Sequence, residues 1–215
     1  MRPARLGGVF CAVLLLAACA GGRETTFAPL PQTGGSLGEP NKPGVPPRAK
    51  PTLEVTLEAT GQVALLTVFA ERLEADAATL RIWRTGDGAQ VVLRDGVLIA
   101  TRGLGNDMES ADVTAALDAV GSLMPTSGPH TLYVRTGENG IAAIILSCNT
   151  RSLGVEAIET GKRASDTVHL QAICTGGPYM ITNDYWVDPA DSTVRKSRQW
   201  AGPELGYMQI RFLRE

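Results

Sequence analysis

Four cysteines, two histidines and three tryptophans are the residues whose types could carry chemistry in this chain of 215. Cys19 has the most specific surroundings, because it closes the tetrapeptide Leu16-Ala17-Ala18-Cys19. Two small residues ahead of a cysteine suit the cleft of a signal peptidase, and the thiol can be alkylated by diacylglycerol. Cleavage before Cys19 would free an amine that can be acylated in turn, and two or more chains anchor stably where one is marginal. The alternative is an ordinary signal peptide with a chance cysteine. Cys11 leaves with the signal. Cys148 and Cys174 then remain as an even pair in an oxidising compartment. Ile144, Leu146 and Cys148 share one strand face, and Val168, Leu170, Ala172 and Cys174 share another, so both thiols are expected to point at the core. A disulfide between neighbouring strands or across the core is predicted, with two buried free thiols as the alternative.

The search for catalytic groups finds little. His169 sits in an alternating strand on the face opposite Cys174 and is expected to face solvent. His130 follows Gly128-Pro129 and reads as a loop residue. Ser147 and Ser165 lie near histidines in sequence, yet no Gly-x-Ser-x-Gly elbow is present. Asp184, Asp188 and Asp191 could supply an acid/base pair, but Asp188-Pro189-Ala190-Asp191 reads more economically as a turn. No third or fourth ligand is spaced to complete a metal site with a histidine, and there is no phosphate-binding glycine loop. The expectation is a protein that is not an enzyme, with no catalytic, cofactor-binding or metal-binding residues and no cofactor. Trp83, Trp186 and Trp200 could stack on sugar rings; packing or rimming the core is the competing role, since aromatics dominate core energetics.

The elements that would position these residues fall into three parts. Residues 1–18 form a signal peptide: Arg2 and Arg5 make the positive end, and Val9 to Leu16 makes an apolar run too short to span a bilayer, which needs ~20 residues. Residues 19–52 form the lipidated N-terminus and a linker, with prolines at 29, 31, 40, 43, 46, 47 and 51 among glycines and no apolar periodicity. Such a segment cannot bury enough surface to offset its ordering entropy, so a disordered, partly extended tether is expected. It would let the domain stand off a membrane and reach a partner, or serve as a mere spacer. Residues 53–215 form one domain. Removing Arg2 and Arg5 and no acid takes the formal charge from -2 to -4. That balance gives no footprint for nucleic acid and no attraction to anionic lipid.

Within the domain the dominant pattern is short, alternating or β-branched apolar runs broken by turn residues. Strands are predicted at Leu53 to Ala59, Val63 to Leu73, Leu80 to Arg84, Gln90 to Leu93, Val97 to Thr101, Thr131 to Thr136, Ile141 to Cys148, Val155 to Thr160, Thr167 to Thr175, Met180 to Val187, Thr193 to Trp200 and Tyr207 to Leu213. Arg94-Asp95-Gly96 is a hairpin turn, Asp-Gly being a strong signal for one, and Gly137 to Gly140 is another. Met108 to Val120 is the helix candidate, since Val113, Leu117 and Val120 fall on one face. The fold class is mainly β: a single antiparallel barrel- or sandwich-like domain with one short helix, following the linker.

Two stretches carry a resemblance. One runs from Leu80-Arg81-Ile82-Trp83 through Asp87-Gly88 and Asp95-Gly96 to Thr101-Arg102-Gly103-Leu104-Gly105-Asn106-Asp107. The other runs from Asn183-Asp184-Tyr185-Trp186 through Gln199-Trp200-Ala201-Gly202-Pro203 to Gly206-Tyr207-Met208-Gln209-Ile210. Together they resemble the YjbF/GfcB family of lipoproteins, linked to exopolysaccharide and group 4 capsule production, over about Leu53 to Leu213. Val97 stands where that family often has an arginine, so no role of that arginine carries over, and the resemblance transfers no catalytic residue. Thr101 to Asp107 is polar, glycine-rich and directly after a strand, which suits a surface loop. Thr101 and Asp107 therefore join Trp83, Trp186 and Trp200 as candidate glycan or partner contacts.

The resemblance implies a non-catalytic accessory factor for exopolysaccharide or capsule assembly or export. It would be lipid-anchored at Cys19 on the periplasmic face of the outer membrane, a location that Ala20, rather than an aspartate, after the cysteine favours. Expected partners are the membrane, through the anchor, and other polysaccharide-secretion proteins including an outer-membrane component; the polysaccharide is a further candidate, and nucleic acid is not. A glycan-binding module is the alternative, favoured by exposed tryptophans lining a groove. A periplasmic polysaccharide-modifying enzyme comes third and requires two carboxylates, or a histidine and a carboxylate, in a cleft.

Overall fold

Alternating sequence closes here into a wall of strands with the apolar residues of each turned inward. The computed structural model describes residues 51–137, 140–160 and 163–214. The signal peptide, Cys19, the linker up to residue 50, and Glu138 and Asn139 of the expected hairpin turn lie outside the described residues. The strands are β1 Thr52–Leu57, β2 Gln62–Leu73, β3 Thr79–Arg84, β4 Gln90–Arg94, β5 Val97–Arg102, β6 Met108–Asp112, β7 Thr126–Thr136, β8 Gly140–Thr160, β9 Arg163–Gly176, β10 Tyr179–Val187, β11 Val194–Trp200 and β12 Tyr207–Arg214; a helix, α1, spans Thr114–Ser122. They form one antiparallel sheet in the order β5-β4-β3-β2-β1-β12-β11-β10-β9-β8-β7-β6. The first and last strands pair, Leu53 opposite Phe212 and Val55 opposite Ile210. The result is a nearly closed twelve-stranded barrel, which removes the exposed edges that an open sheet would carry.

The one interruption lies between β5 and β6. There the strands are joined by side chains rather than a ladder. Met108 N–H donates to Thr101 Oγ1 at 3.0 Å, and Arg102 donates to the carbonyls of Met108 and Glu109 at 3.2 and 3.0 Å. The Glu109 carboxylate then lies between Arg102 and Arg135.

Inward residues make one apolar core that includes Leu53, Leu66, Trp83, Leu93, Leu132, Leu170, Met208 and Ile210. Trp83 meets Phe212 edge to face, 5.4 Å between centroids. Helix α1 lies against this core through Ala115, Ala116, Ala119 and Val120. Its close approach to β7 needs Gly128, where a Cβ would stand 2.9 Å from that of Ala115. At the same end of the barrel, Asp95 and Gly96 take φ of 45° and 83°, the paired left-handed conformation that suits a two-residue hairpin. The chain enters β1 at this end. The opposite end carries the β1–β2, β3–β4 and β9–β10 turns and the Gly103 to Asp107 loop, and forms the mouth.

Three expectations need correction. Residues Met108–Asp112 are strand, not helix: they pair with β7, Ser110 opposite Tyr133, and the helix starts only at Thr114, whose N–H and Oγ1 donate to Asp112 Oδ1 at 3.2 and 2.8 Å in a local turn ahead of it. Ile141 to Cys148 and Val155 to Thr160 are one strand, β8, which continues through a bulge at Leu153 and a left-handed Gly154. His130 is not in a loop; it faces inward from β7, buried and opposite Leu146.

Candidate functional site

The tryptophans come first. Trp83, Trp186 and Trp200 are 0, 8 and 7 % exposed. Trp83 belongs to the core. Trp200 packs against Tyr179 at 5.2 Å, and its backbone N–H donates to Asn183 Oδ1 at 2.8 Å. Trp186 points outward from β10 yet is covered: His169 stacks on it at 4.3 Å, and the Lys196 ammonium stands 4.1 Å from its centroid. The burial of all three counts against sugar stacking.

Thr101 and Asp107 are buried as well, 0 and 7 % exposed, which corrects the expectation of a surface loop at these two positions. Thr101 Oγ1 donates to Asp107 Oδ1 at 2.8 Å. The same carboxylate accepts the N–H groups of Gly103 and Leu104 at 2.8 and 3.1 Å. The Asp107 carbonyl accepts from Arg135 N–H at 3.0 Å. These bonds hold the loop across the β5–β6 gap and satisfy backbone donors that have no strand partner there.

Cys148 and Cys174 are bonded to each other, directly opposite on β8 and β9 with Cα atoms 3.9 Å apart. Both are buried. Asp188 and Asp191 bracket a turn and both accept from Arg195, at 3.1 and 2.9 Å.

A cluster on the outer wall went unread in the sequence. His169 is not a free solvent-facing residue: its side chain is 14 % exposed, with Nδ1 3.0 Å from Glu156 Oε2 and Nε2 3.0 Å from Asp184 Oδ1. Trp186 Nε1 donates to the same Glu156 oxygen at 2.8 Å, and Gln171 Nε2 to Asp184 Oδ1 at 3.0 Å. A signal for part of this cluster was present. The tight turn at Gly177 and Pro178 sets β9 against β10 so that His169 faces Trp186 and Gln171 faces Asp184. Glu156 arrives from β8, whose register depends on the bulge. Chemically the cluster is saturated. Both ring nitrogens meet carboxylates of the protein itself, and neither face of Trp186 is open. Among the described residues no three His, Cys, Asp or Glu side chains are arranged to hold a metal ion.

An opening with a mainly apolar lining lies at the mouth. A cavity of about 310 Å³ runs inward from Gln62, Thr85, Asp87 and Gln90 at the rim to Val55, Leu66 and Met208 inside the barrel. It is a slot suited to an apolar group and offers no paired acid and base.

Comparison with known proteins agrees with this architecture. The hypothetical lipoprotein YmcC from Escherichia coli (K12) has the same fold, with a TM-score of 0.66 and 21% identity over 78% of this chain and 85% of that one. No curated protein matches the chain. The model of the family described as group 4 capsule polysaccharide lipoprotein gfcB, YjbF, matches residues 43–213. The match spans the described barrel nearly end to end, and the chain belongs to the YjbF family.

Proposed function

We infer that this chain is a lipid-anchored accessory factor in the assembly or export of a capsule or exopolysaccharide, tethered through Cys19 to the periplasmic face of the outer membrane, and that it acts without catalysis. Family membership over residues 43–213 carries the polysaccharide role. The non-catalytic reading is supported by the one histidine that stands between carboxylates: His169 spends both nitrogens on Glu156 and Asp184, on a wall rather than in the cavity. General acid/base chemistry needs a side chain within reach of a substrate proton, and here the groups reach only one another. The tether and the secretion proteins it would bring within reach complete the reading.

The test is surface polysaccharide in a deletion strain complemented with the wild-type gene, with Cys19→Ser or with His169→Gln. Wild type and His169→Gln are expected to restore the polymer and Cys19→Ser to fail. Unchanged polymer in the deletion strain, under conditions that induce its synthesis, would remove the polysaccharide role. Failure of a stably expressed His169→Gln would remove the non-catalytic one.

A further inference from the structure

We propose that the slot at the barrel mouth binds a single linear acyl or alkyl chain of an amphiphile, with its polar head held at the rim. Three observations converge. The slot is walled by Val55, Leu57, Ala64, Leu66, Val91 and Met208, and four of these, Val55, Leu66, Val91 and Met208, are buried core residues that close its floor. Polar side chains stand only at its opening, where Gln62, Thr85, Asp87 and Gln90 line it; they can hydrogen-bond a hydroxyl or amide head but offer nothing to a group deep inside. The size, about 310 Å³, lies at the lower bound of small-molecule sites and has room for one chain rather than several.

The third observation is what lies outside. Val63 is on the rim, 61 % exposed, and Leu65 follows on the same outer face of β2 at 60 %; farther along, the bulge at Phe69 turns the strand and the Arg84 guanidinium stands 4.9 Å from that ring. Isolated exposed apolar residues are ordinary, but these two form a short strip that ends at the lip of the slot. Val63 itself lines the slot, so apolar surface continues from the lip inward between the polar side chains of the rim. Barrel mouths are a usual place for such sites.

The experiment is displacement of N-phenyl-1-naphthylamine from the chain 19–215 carrying Cys19→Ala, so that no lipid is attached, by n-alkanols of six to fourteen carbons. Burial of each methylene should tighten displacement about fourfold, equivalent to ~0.8 kcal/mol, until the chain outgrows the slot and affinity levels off. Ala64→Phe and Ala89→Phe each narrow the slot and should weaken binding of the longer alkanols at least tenfold; the two are independent, and the chain-length series needs neither. Three results would each overturn the proposal: no saturable displacement, affinity that climbs without levelling, or wild-type binding in a folded narrowed variant. Loss of binding in the outer-wall variant Leu65→Ser alone would assign the effect to adsorption on the strip and overturn it equally.

Discussion

The imidazole of His130 sits among apolar side chains, and burial pushes its pKa down from 6.5 to about 4, against a smaller opposing pull from Asp112. The folded protein therefore holds this ring neutral where the unfolded chain would protonate it. From pH 6.5 down to about 4 the unfolded state binds a proton that the folded state does not, so stability falls with pH through that window and is fully present above it. The loss amounts to roughly 3 kcal/mol over the window. Carboxylates held low by their partners, such as Glu58 beside the Arg198 guanidinium, begin to lose their contribution as pH falls into the ordinary carboxylate range, where the unfolded chain takes up the proton, so the upper part of the window reports His130. His130→Leu should flatten the slope of denaturation midpoint against pH between 6.5 and 5; an unchanged slope would mean that some other group sets it. Thr101 and Asp107 illustrate the same scale from the other side. Polar residues after a strand suggest a surface loop, yet a carboxylate that accepts three local donors becomes the loop's own core.

At the scale of elements, the β8–β9 hairpin shows how one extra residue sets a chemical bond. Pairing carried unbroken from Thr160 opposite Arg163 would place Cys148 opposite Thr175; the bulge at Leu153 shifts the register by one and brings Cys148 to face Cys174. The bond closes a separation of 26 residues, for which the loop-entropy model gives a contribution of about 3 kcal/mol. Replacing both cysteines by alanine should lower the free energy of unfolding by about that amount in chemical denaturation, and reductant should then have no further effect. A double variant as stable as the oxidised wild type would show that the strands hold the hairpin unaided. Much of this architecture was legible in the sequence: the alternating runs, the Asp95-Gly96 turn and the inward faces of both cysteines follow from local pattern. What was not legible is non-local. Met108–Asp112 follows the helical spacing of Val113, Leu117 and Val120 into a false helix, because pairing with β7 and the local turn at Asp112 decide the boundary. Likewise His169 looks solvent-facing until β8 delivers Glu156 to one nitrogen and β10 delivers Asp184 to the other.

The whole barrel has one weak line, between β5 and β6, where consecutive strands lie side by side without a ladder. An edge strand there must satisfy its backbone donors by other means. At the mouth the Thr101 and Asp107 side chains do so, while Arg102 donates to the Met108 carbonyl. Toward the helix end the partner comes from the opposite wall. Gln199 on β11, 2 % exposed, reaches through the interior so that its Oε1 accepts Leu98 N–H at 2.8 Å while its Nε2 donates to the Gly96 carbonyl at 3.0 Å. A glutamine in the sequence Ser197-Arg198-Gln199-Trp200 gives no sign of this, since its partners are about a hundred positions away. Gln199→Met keeps length and bulk but removes both bonds to β5, together with the one that Nε2 donates to Ser197 Oγ at 2.9 Å, and leaves the buried Leu98 N–H and the half-buried Gly96 carbonyl unpaired, at about 1–3 kcal/mol for a buried group. The expected result is a loss of roughly 2–4 kcal/mol of stability, together with faster amide exchange at Leu98 and along the seam at Gly103 and Met108, while β9 and β10 keep their protection. That pattern is particular to a staple across the seam. Uniform loss of protection would mean that Gln199 merely packs the core, and retained protection at Leu98 would mean that the seam is closed without it.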